Sequence, residues 1–158
     1  MILVLCGTQK QSFHRLWQQL QPVLSSGDWI IQAGHNSWSS ERSNVQVIDF
    51  VEQEQLQHWI EEADLIITHA GAGSMLQALY YHKRIIAIPR LAKYGEHVND
   101  HQLELALKFE RLGYLKVLTE ADSLSSLLPL MDEFHPLPYQ SQNDLVPLLH
   151  QKLTQLLS

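Results

Sequence analysis

The sequence predicts an α/β protein in which helices cover both faces of a doubly wound, Rossmann-like parallel sheet. Short, mainly apolar runs, some of them uninterrupted, alternate along the chain with segments of helical periodicity, about six of each. Runs of this kind are typical of strands that are buried on both faces, as in parallel sheets. Regular alternation of such strands with helices favours a doubly wound arrangement. The length of 158 residues, without an internal repeat, predicts one domain, 1–158.

The composition argues against a nucleic-acid-binding protein. Hydrophobic residues make up 45% of the chain and charged residues 18%, as in ordinary globular proteins. The 17 acidic residues outnumber the 11 basic ones and give a net charge of −6. A general nucleic-acid binder needs an excess of positive charge, so we expect no nucleic-acid partner.

The single cysteine and the first residues predict a cytoplasmic chain. Cys6 has no partner for a disulfide and lies in an apolar run, so a buried structural thiol is favoured over a nucleophile. The start, MILVLCG, has no basic flank and is too short for a signal peptide or a membrane span. Another protein would have to hold the chain at a membrane.

Six mainly apolar runs are the predicted strands. They cover residues 2–6, 29–33, 45–50, 65–68, 85–88 and 115–118. Between strands, apolar residues at helical spacing predict helices over 12–24 and 52–62, from Met75 onward, and through Leu103 to a stop at Gly113.

The tail, 123–158, predicts two helices around a break at Pro136 and Pro138. Its leucines are expected to pack on the same domain rather than to contact a partner. They are Leu127, Leu128, Leu130, Leu145, Leu148, Leu149, Leu153 and Leu156.

The segment 63–79, ADLIITHAGAGSMLQAL, combines a buried strand, a glycine-containing turn and a helix. Gly71 and Gly73 are expected in the tightest part of the turn, and Ser74 is expected to cap the first free amides of the helix. Free amides and the positive end of a helix dipole form a site for an anion such as a diphosphate. The segment therefore predicts a diphosphate-binding turn.

The glycines alone leave a second interpretation open, because glycine pairs also occur in strand-to-helix turns for packing reasons. The segment lacks the lysine of a P-loop and the third glycine of the dinucleotide fingerprint. The first strand ends in a similar turn at Gly7, Thr8 and Gln9. Polar groups at the carboxyl end of a strand lie where open α/β sheets bind ligands.

The stretch from Arg90 to Gln102 is unusually polar for a connection between a core strand and a helix. Asn99, Asp100 and Gln102 can each exchange hydrogen bonds with a polyol, so the stretch predicts a surface that recognises hydroxyl groups. Capping of the following helix is the alternative for Asn99 and Asp100, but it does not explain Gln102.

Two other kinds of site fit the sequence less well. The chain has nine histidines, and His97 and His101 have the spacing of two metal ligands on one helix face, but H-V-N-D-H lacks the glutamate of a zinc protease. Hydrogen bonding is the favoured role for most of the histidines. A serine hydrolase needs its nucleophile between two glycines, whereas Ser74 follows both.

Four segments together resemble the carboxy-terminal, donor-binding half of the family 28 glycosyltransferases. They are L-V-L-C-G-T-Q-K, I-I-Q-A-G-H-N-S, the segment 63–79 and P-R-L-A-K-Y-G-E-H-V-N-D-H-Q-L-E-L-A. The matching region covers 1–122. The chain is most similar to the short stand-alone members, such as the cytosolic subunit of the dolichol-linked UDP-N-acetylglucosamine transferase and the PssE-type proteins of exopolysaccharide synthesis.

The resemblance implies half of a GT-B glycosyltransferase. The partner implied is a membrane-anchored, acceptor-binding subunit, which holds this chain peripherally at the membrane. The implied reaction moves a sugar from a UDP-sugar to a lipid-linked glycan acceptor in polysaccharide or glycolipid synthesis. The alternative is a non-catalytic module that binds a nucleotide sugar.

The resemblance also implies the residues of the donor site. Gly71 to Ser74 would meet the diphosphate, Gly7 and Thr8 would face it, and the loop before the next helix would contact the sugar. The family commonly has Glu, which holds the ribose, where this chain has Gln77. An amide still bonds a hydroxyl but is a weaker acceptor than a carboxylate, so the resemblance leaves the nucleotide affinity and the exact donor open. The full set is Gly7, Thr8, His69, Gly71, Ala72, Gly73, Ser74, Gln77, Asn99, Asp100, His101 and Gln102.

No metal or other cofactor is expected, because a helix N-terminus can stabilise the leaving diphosphate and the chain has no D-x-D motif. The general base that removes the acceptor's proton is expected on the partner. The sequence therefore names no catalytic base in this chain.

Overall fold

A computed structural model describes residues 1–139. Six parallel strands form one sheet: β1 (Ile2–Leu5), β2 (Trp29–Gln32), β3 (Val45–Ile48), β4 (Leu65–Thr68), β5 (Arg84–Ala87) and β6 (Lys116–Val117). Their order across the sheet is β3-β2-β1-β4-β5-β6. This is the Rossmann order, so the predicted fold class is confirmed. The strands fall within one or two residues of their predicted bounds.

Five α-helices lie within the described residues: α1 (His14–Leu20), α2 (Gln53–Glu62), α3 (Ala72–Tyr80), α4 (His101–Arg111) and α5 (Leu124–Leu127). Two short 3-10 helices, Ala92–Tyr94 and Leu128–Asp132, accompany them. Within residues 1–139, no helix combines the length and the apolar character that crossing a membrane requires.

The sheet separates two hydrophobic cores, and neighbouring strand residues contribute to opposite sides. Leu3 and Ile66 pack with α2, α3 and α4, whereas Val4 and Ile67 pack with α1 and α5. Because side chains alternate along a strand, a continuous apolar run supplies both cores. This alternation explains why the strands could be recognised from uninterrupted apolar runs.

Helix α1 is shorter than predicted, because it ends at Leu20 and not at residue 24. Pro22 follows one residue after its C-cap, Gln21. Proline has no backbone N–H to donate to the carbonyl four residues earlier, so the helical hydrogen bonds stop there. Leu24 still packs in the core, from a turn.

The first predicted tail helix is wrong in its length. Helix α5 has four residues, with a capping box between Ser123 and Ser126, and Pro129 lies in the 3-10 helix that follows. Leu127 and Leu128 pack on the core as expected, but Leu130 is 66% exposed. The predicted second helix and the five leucines from Leu145 onward lie outside the described residues.

Candidate functional site

A cleft of about 570 Å³ opens at the carboxyl ends of β1 and β4. These two strands are neighbours at the point where the strand order reverses, which is where open α/β sheets bind ligands. The cleft is lined by the turn after β1, the turn after β4 and the segment around the start of α4. Its lining residues are Gly7, Thr8, Gln9, His69, Ala70, Gly71, Ala72, Gly73, Ser74, His97, Val98, Asn99, His101, Gln102 and Leu105.

The N-terminus of α3 borders this cleft and leaves its first amides unpaired. Gly71 is the N-cap, and no side chain caps the helix. The first amide that bonds within the helix belongs to Met75 and donates to Gly71 O at 3.0 Å. The amides of Ala72, Gly73 and Ser74 make no hydrogen bond to another described residue. Three amides are thus available to a ligand.

The expected cap by Ser74 is wrong, because the helix begins earlier than the sequence indicated. Ala70, not a glycine, has the left-handed backbone conformation in the turn, with φ 65°. The chain therefore completes its turn before Gly71, and Ser74 becomes the third residue of α3. At that position its hydroxyl does not cap the helix.

Gly73 lies in the open and not in the tightest part of the turn. A Cβ added there meets no heavy atom within 4 Å. The protein's own packing therefore does not require a glycine at this position. What the missing side chain leaves is space directly in front of the first amides of α3.

Gly7 and Gly71, by contrast, make room for the ring of His69. A Cβ on Gly71 would lie 2.2 Å from His69 Nε2, and a Cβ on Gly7 would lie 2.5 Å from the same atom. Real atoms do not approach so closely, so the ring occupies space that side chains at both positions would need. The sequence left two interpretations of the glycines open, a packing role and a diphosphate-binding turn. Packing explains Gly71, whereas the open space at Gly73 fits a bound ligand.

The hydrogen bonds of His69 fix its tautomer. Nδ1 lies 3.0 Å from Leu5 O, and because a carbonyl can only accept, Nδ1 carries the proton. Nε2 makes no hydrogen bond to a described residue. The side chain is 6% exposed. Burial, with a smaller contribution from the positive charge of Arg90, lowers the pKa of His69 to about 4, so the ring is neutral.

Gln32, at the end of β2, holds the turn after β1 in place. Its Nε2 donates to Gly7 O at 3.3 Å and to Asp49 O at 2.9 Å, and its Oε1 accepts from Gly7 N at 3.3 Å. One buried amide therefore joins the carboxyl ends of three strands. Sequence reasoning missed this residue, which reads as an ordinary strand position.

The polar stretch 90–102 divides into two parts, and the first part is structural. Arg90 is fully buried, and its guanidinium donates to Cys6 O at 3.1 Å and to Gln11 O at 2.7 Å while lying 4.6 Å from the ring centroid of Phe13. Glu96 is also buried. The expectation that the whole stretch presents its polar groups to a ligand is therefore wrong for these two residues.

The second part reaches the cleft. Asn99 Oδ1 accepts from His101 N at 3.1 Å, but the N-cap of α4 is Asp100 and no side chain caps the helix, so the capping alternative is wrong for both residues. Asp100 Oδ1 instead accepts from Ala92 N at 2.8 Å, at the start of the 3-10 helix. Gln102 Oε1 is buried without a hydrogen-bond partner among the described residues. An orphaned acceptor beside a cleft is available to a ligand donor.

Of the twelve predicted site residues, all except Gln77 and Asp100 line the cleft. Gln77 lies half-buried in α3. Gln9, which the sequence placed in the polar turn after β1, also lines the cleft. The lining residues that the sequence did not single out as ligand contacts are Ala70, His97, Val98 and Leu105. His97 belongs to the polar stretch and could have been found. The roles of the predicted residues toward a ligand remain predictions.

The metal and hydrolase interpretations gain no support from the geometry. His97 precedes α4, which begins at His101, so the pair does not share a helix face. In the described part of the chain, no three His, Cys, Asp or Glu side chains are grouped to hold a metal ion. Cys6 is fully buried, and burial raises the pKa of its thiol, as expected for a structural cysteine.

Comparison with known proteins identifies the family. The family profile described as "Glycosyltransferase family 28 C-terminal domain" matches residues 1–146. The chain is 35% identical over 72 residues to the UDP-N-acetylglucosamine transferase subunit ALG13 of Candida albicans, covering 46% of this chain and 23% of that protein.

A second relative is the UDP-N-acetylglucosamine--N-acetylmuramyl-(pentapeptide) pyrophosphoryl-undecaprenol N-acetylglucosamine transferase of Thermotoga maritima. Identity is 29% over 126 residues, covering 77% of this chain and 35% of that protein. The chain therefore spans well under half of both relatives. The NMR solution structure of ALG13 shares the fold, with a TM-score of 0.59 at 23% identity and 90% coverage of both chains.

Proposed function

Because this chain belongs to the glycosyltransferase family 28 C-terminal domain family, we propose that it is the donor-binding subunit of a two-component glycosyltransferase. In this proposal it binds a UDP-sugar, and the complex transfers the sugar to a lipid-linked glycan acceptor in polysaccharide or glycolipid synthesis. The names of the relatives support the donor class, since both describe N-acetylglucosamine transferases.

The single observation that carries the proposal is the N-terminus of α3. Three unpaired amides, those of Ala72, Gly73 and Ser74, border a cleft at the switch point of the sheet. The open space at Gly73 leaves the approach to them free. Such an arrangement fits the diphosphate of a UDP-sugar better than an uncharged ligand.

The same helix end provides a chemical role. When UDP leaves the anomeric carbon of the sugar, negative charge develops on the diphosphate. Preoriented amides and the positive end of the α3 dipole stabilise that charge without reorganising. We propose that transfer needs no metal or other cofactor for this reason.

The partner is the second part of the proposal. A GT-B transferase closes its donor site with a second domain, and we propose that a membrane-anchored, acceptor-binding subunit provides it here. The name of the Candida relative supports this, since it describes that protein as a subunit. The partner supplies the general base for the acceptor hydroxyl and holds this chain at the cytoplasmic face of the membrane.

The test is a calorimetric titration of the full chain with UDP-N-acetylglucosamine and UDP, with ADP as the control. Binding of both uridine nucleotides but not of ADP is expected. A chain that binds none of them, or that prefers ADP, contradicts the donor site.

A sugar-transfer assay tests the two-component arrangement. Vesicles that carry a membrane-anchored acceptor-binding subunit of this family and a lipid-linked acceptor should incorporate labelled sugar only when both proteins are present. Full activity of this chain alone contradicts the two-component arrangement. Binding without transfer in the complete mixture favours the non-catalytic module.

A further inference from the structure

The part of the cleft that residues 1–139 form contains no permanently charged cation. Among the described residues that line it, none is lysine or arginine, and the titratable side chains are three histidines: His69, His97 and His101. A UDP-sugar brings a diphosphate with two negative charges. The dipole of α3 offers roughly half an elementary charge at its N-terminus. Within the described part of this chain, the cleft groups that can supply further positive charge are these imidazoles.

Of the three histidines, His69 lies directly against the diphosphate-binding turn. Its Nε2 is the nearest heavy atom to a Cβ placed on Gly71, which is the N-cap of α3. The ring is held in place from both sides, by Gly7 and Gly71, and by the hydrogen bond from Nδ1 to Leu5 O. It is more than nine-tenths buried, lines the cleft, and its Nε2 has no partner among the described residues.

The neutral ring is mismatched to an anion. With the proton on Nδ1, the Nε2 atom presents a lone pair, which repels a phosphate oxygen. A second proton on Nε2 turns the same atom into a charged donor at the same place. A charge-assisted bond of this kind is roughly twice as strong as a neutral one.

The surroundings of the ring explain why the proton is absent in the free protein. Burial lowers the pKa of His69, and Arg90 at the end of β5 and His97 before α4 lower it further. The lining residues from the turn after β1 and from the first turn of α3 are uncharged. Among residues 1–139, no carboxylate acts on the ring, so an anion bound in the cleft opposes these effects and raises the pKa of His69.

We propose, resting on the proposed function, that UDP-sugar binding is coupled to proton uptake on Nε2 of His69. The proton comes from solvent, no covalent bond of protein or ligand is broken, and the bound complex carries one more positive charge than the free chain. By linkage, the affinity for the UDP-sugar rises as the pH falls, by up to about tenfold per pH unit between the pKa values of the free and bound states.

Calorimetry of the full chain with UDP-N-acetylglucosamine tests this coupling. The diphosphate of this probe is esterified at both ends, whereas the terminal phosphate of UDP titrates near pH ~6 and would take up protons itself. Titrations at one pH in buffers of different ionisation enthalpy give the number of protons taken up. That number is expected to increase toward one as the pH is lowered from 8 to 5.5.

Two variants assign the proton. His69→Gln keeps a side-chain donor for Leu5 O but cannot become charged, so proton uptake should vanish and the affinity should no longer depend on pH in this range. The matched control, His58→Gln on the exposed face of α2, changes a histidine outside the cleft and should retain the uptake. A nitrogen NMR spectrum of the unmodified protein reads the same event directly, as conversion of His69 from the Nδ1–H tautomer to imidazolium on binding.

The outcomes separate the two proposals. Binding of UDP-N-acetylglucosamine without proton uptake, or uptake that survives in His69→Gln, overturns this inference and leaves the proposed function intact. If His69→Gln does not fold, the NMR spectrum decides, and a ring that stays neutral in the complex overturns the inference. No binding at any pH overturns the proposed function, and the coupling with it.

Discussion

Arg15 and Glu96 form a two-point ion pair between α1 and the segment that leads to the cleft. Nε of Arg15 donates to Oε1 at 3.1 Å, and Nη2 donates to Oε2 at 2.8 Å. The carboxylate, at 4% exposure, also accepts from Leu91 N at 2.9 Å. Because Asn99 and His101 follow a few residues later, this pair fixes the position of one wall of the cleft.

We expect Glu96→Gln to lower the free energy of unfolding by about 2–3 kcal/mol, since it leaves the guanidinium of Arg15 without its counter-charge. UDP-sugar affinity should fall too, because the wall of the cleft loses its anchor. Urea unfolding measures the first effect and calorimetry the second. Glu104→Gln, on the exposed face of α4, is the matched control. Equal stability of the two variants contradicts the structural role of the pair.

Gly71→Ala should destabilise the protein by about 2 kcal/mol, because its Cβ has to displace the buried ring of His69. Gly73→Ala, two residues later, adds a methyl group in open space and should raise stability by up to about 1 kcal/mol through better helix propensity. Thermal unfolding of both variants measures the difference. Equal changes in stability for the two variants would contradict the conclusion that Gly71 is required by packing and Gly73 is not.

Gly73→Leu tests the diphosphate site itself. The leucine side chain fits the protein, so the fold should be kept. Because it fills the space before the amides of α3, the affinity for the UDP-sugar should fall by about a hundredfold or more. Gln55→Leu adds the same side chain to the exposed face of α2 and should bind normally. A Gly73→Leu protein that binds like the unmodified chain removes the main support for the site.

Arg90→Met should lower the free energy of unfolding by about 3 kcal/mol or more. The substitution preserves much of the side-chain volume but leaves the carbonyls of Cys6, Gln11 and Glu96 without their buried donor. Arg111→Met, on the exposed last turn of α4, should cost less than about 1 kcal/mol. Chemical unfolding of the two variants provides the comparison.

His69 predicts acid sensitivity of the free protein. Its pKa is lowered from 6.5 to about 4 in the folded state, so the unfolded chain binds the proton first as the pH falls. Stability contributed by the neutral ring is therefore complete above pH ~6.5 and is lost toward pH 4, by about 3 kcal/mol in total. Urea unfolding at pH 7 and pH 4.5 should show this loss in the unmodified chain and a smaller one in His69→Gln. Exposed His58→Gln is the control.

The sheet could be predicted from sequence because its strands are buried on both faces. The strand Leu65–Thr68, for example, is buried at every position. The carboxyl ends of the strands, and therefore most of the cleft, followed from the same pattern. Seven of the ten predicted residues that line the cleft belong to the turns after β1 and β4, which meet at one edge of the sheet. Their identity as a set came from the family resemblance.

What the sequence did not reveal depends on contacts between distant segments. Arg90 reads as a polar loop residue, and only its carbonyl partners near the start of the chain show that it is buried. The start of α3 was misplaced because Ala70 adopts a conformation that glycine usually takes. The second role of Gly71 was equally invisible, since a residue pattern does not show that the ring of His69 needs its space.

The strand order also determines how the chain folds. β1 pairs in register with β2 and with β4, so that Ile2 lies opposite both Trp29 and Leu65. The β1–β4 pair closes a loop that contains α1, β2, β3 and α2, and closing so long a loop costs entropy before any contact offsets it. We expect this closure, and not helix formation, to set the refolding rate. On the ribosome, the edge of β1 that pairs with β4 therefore stays unpaired until β4 has been synthesised.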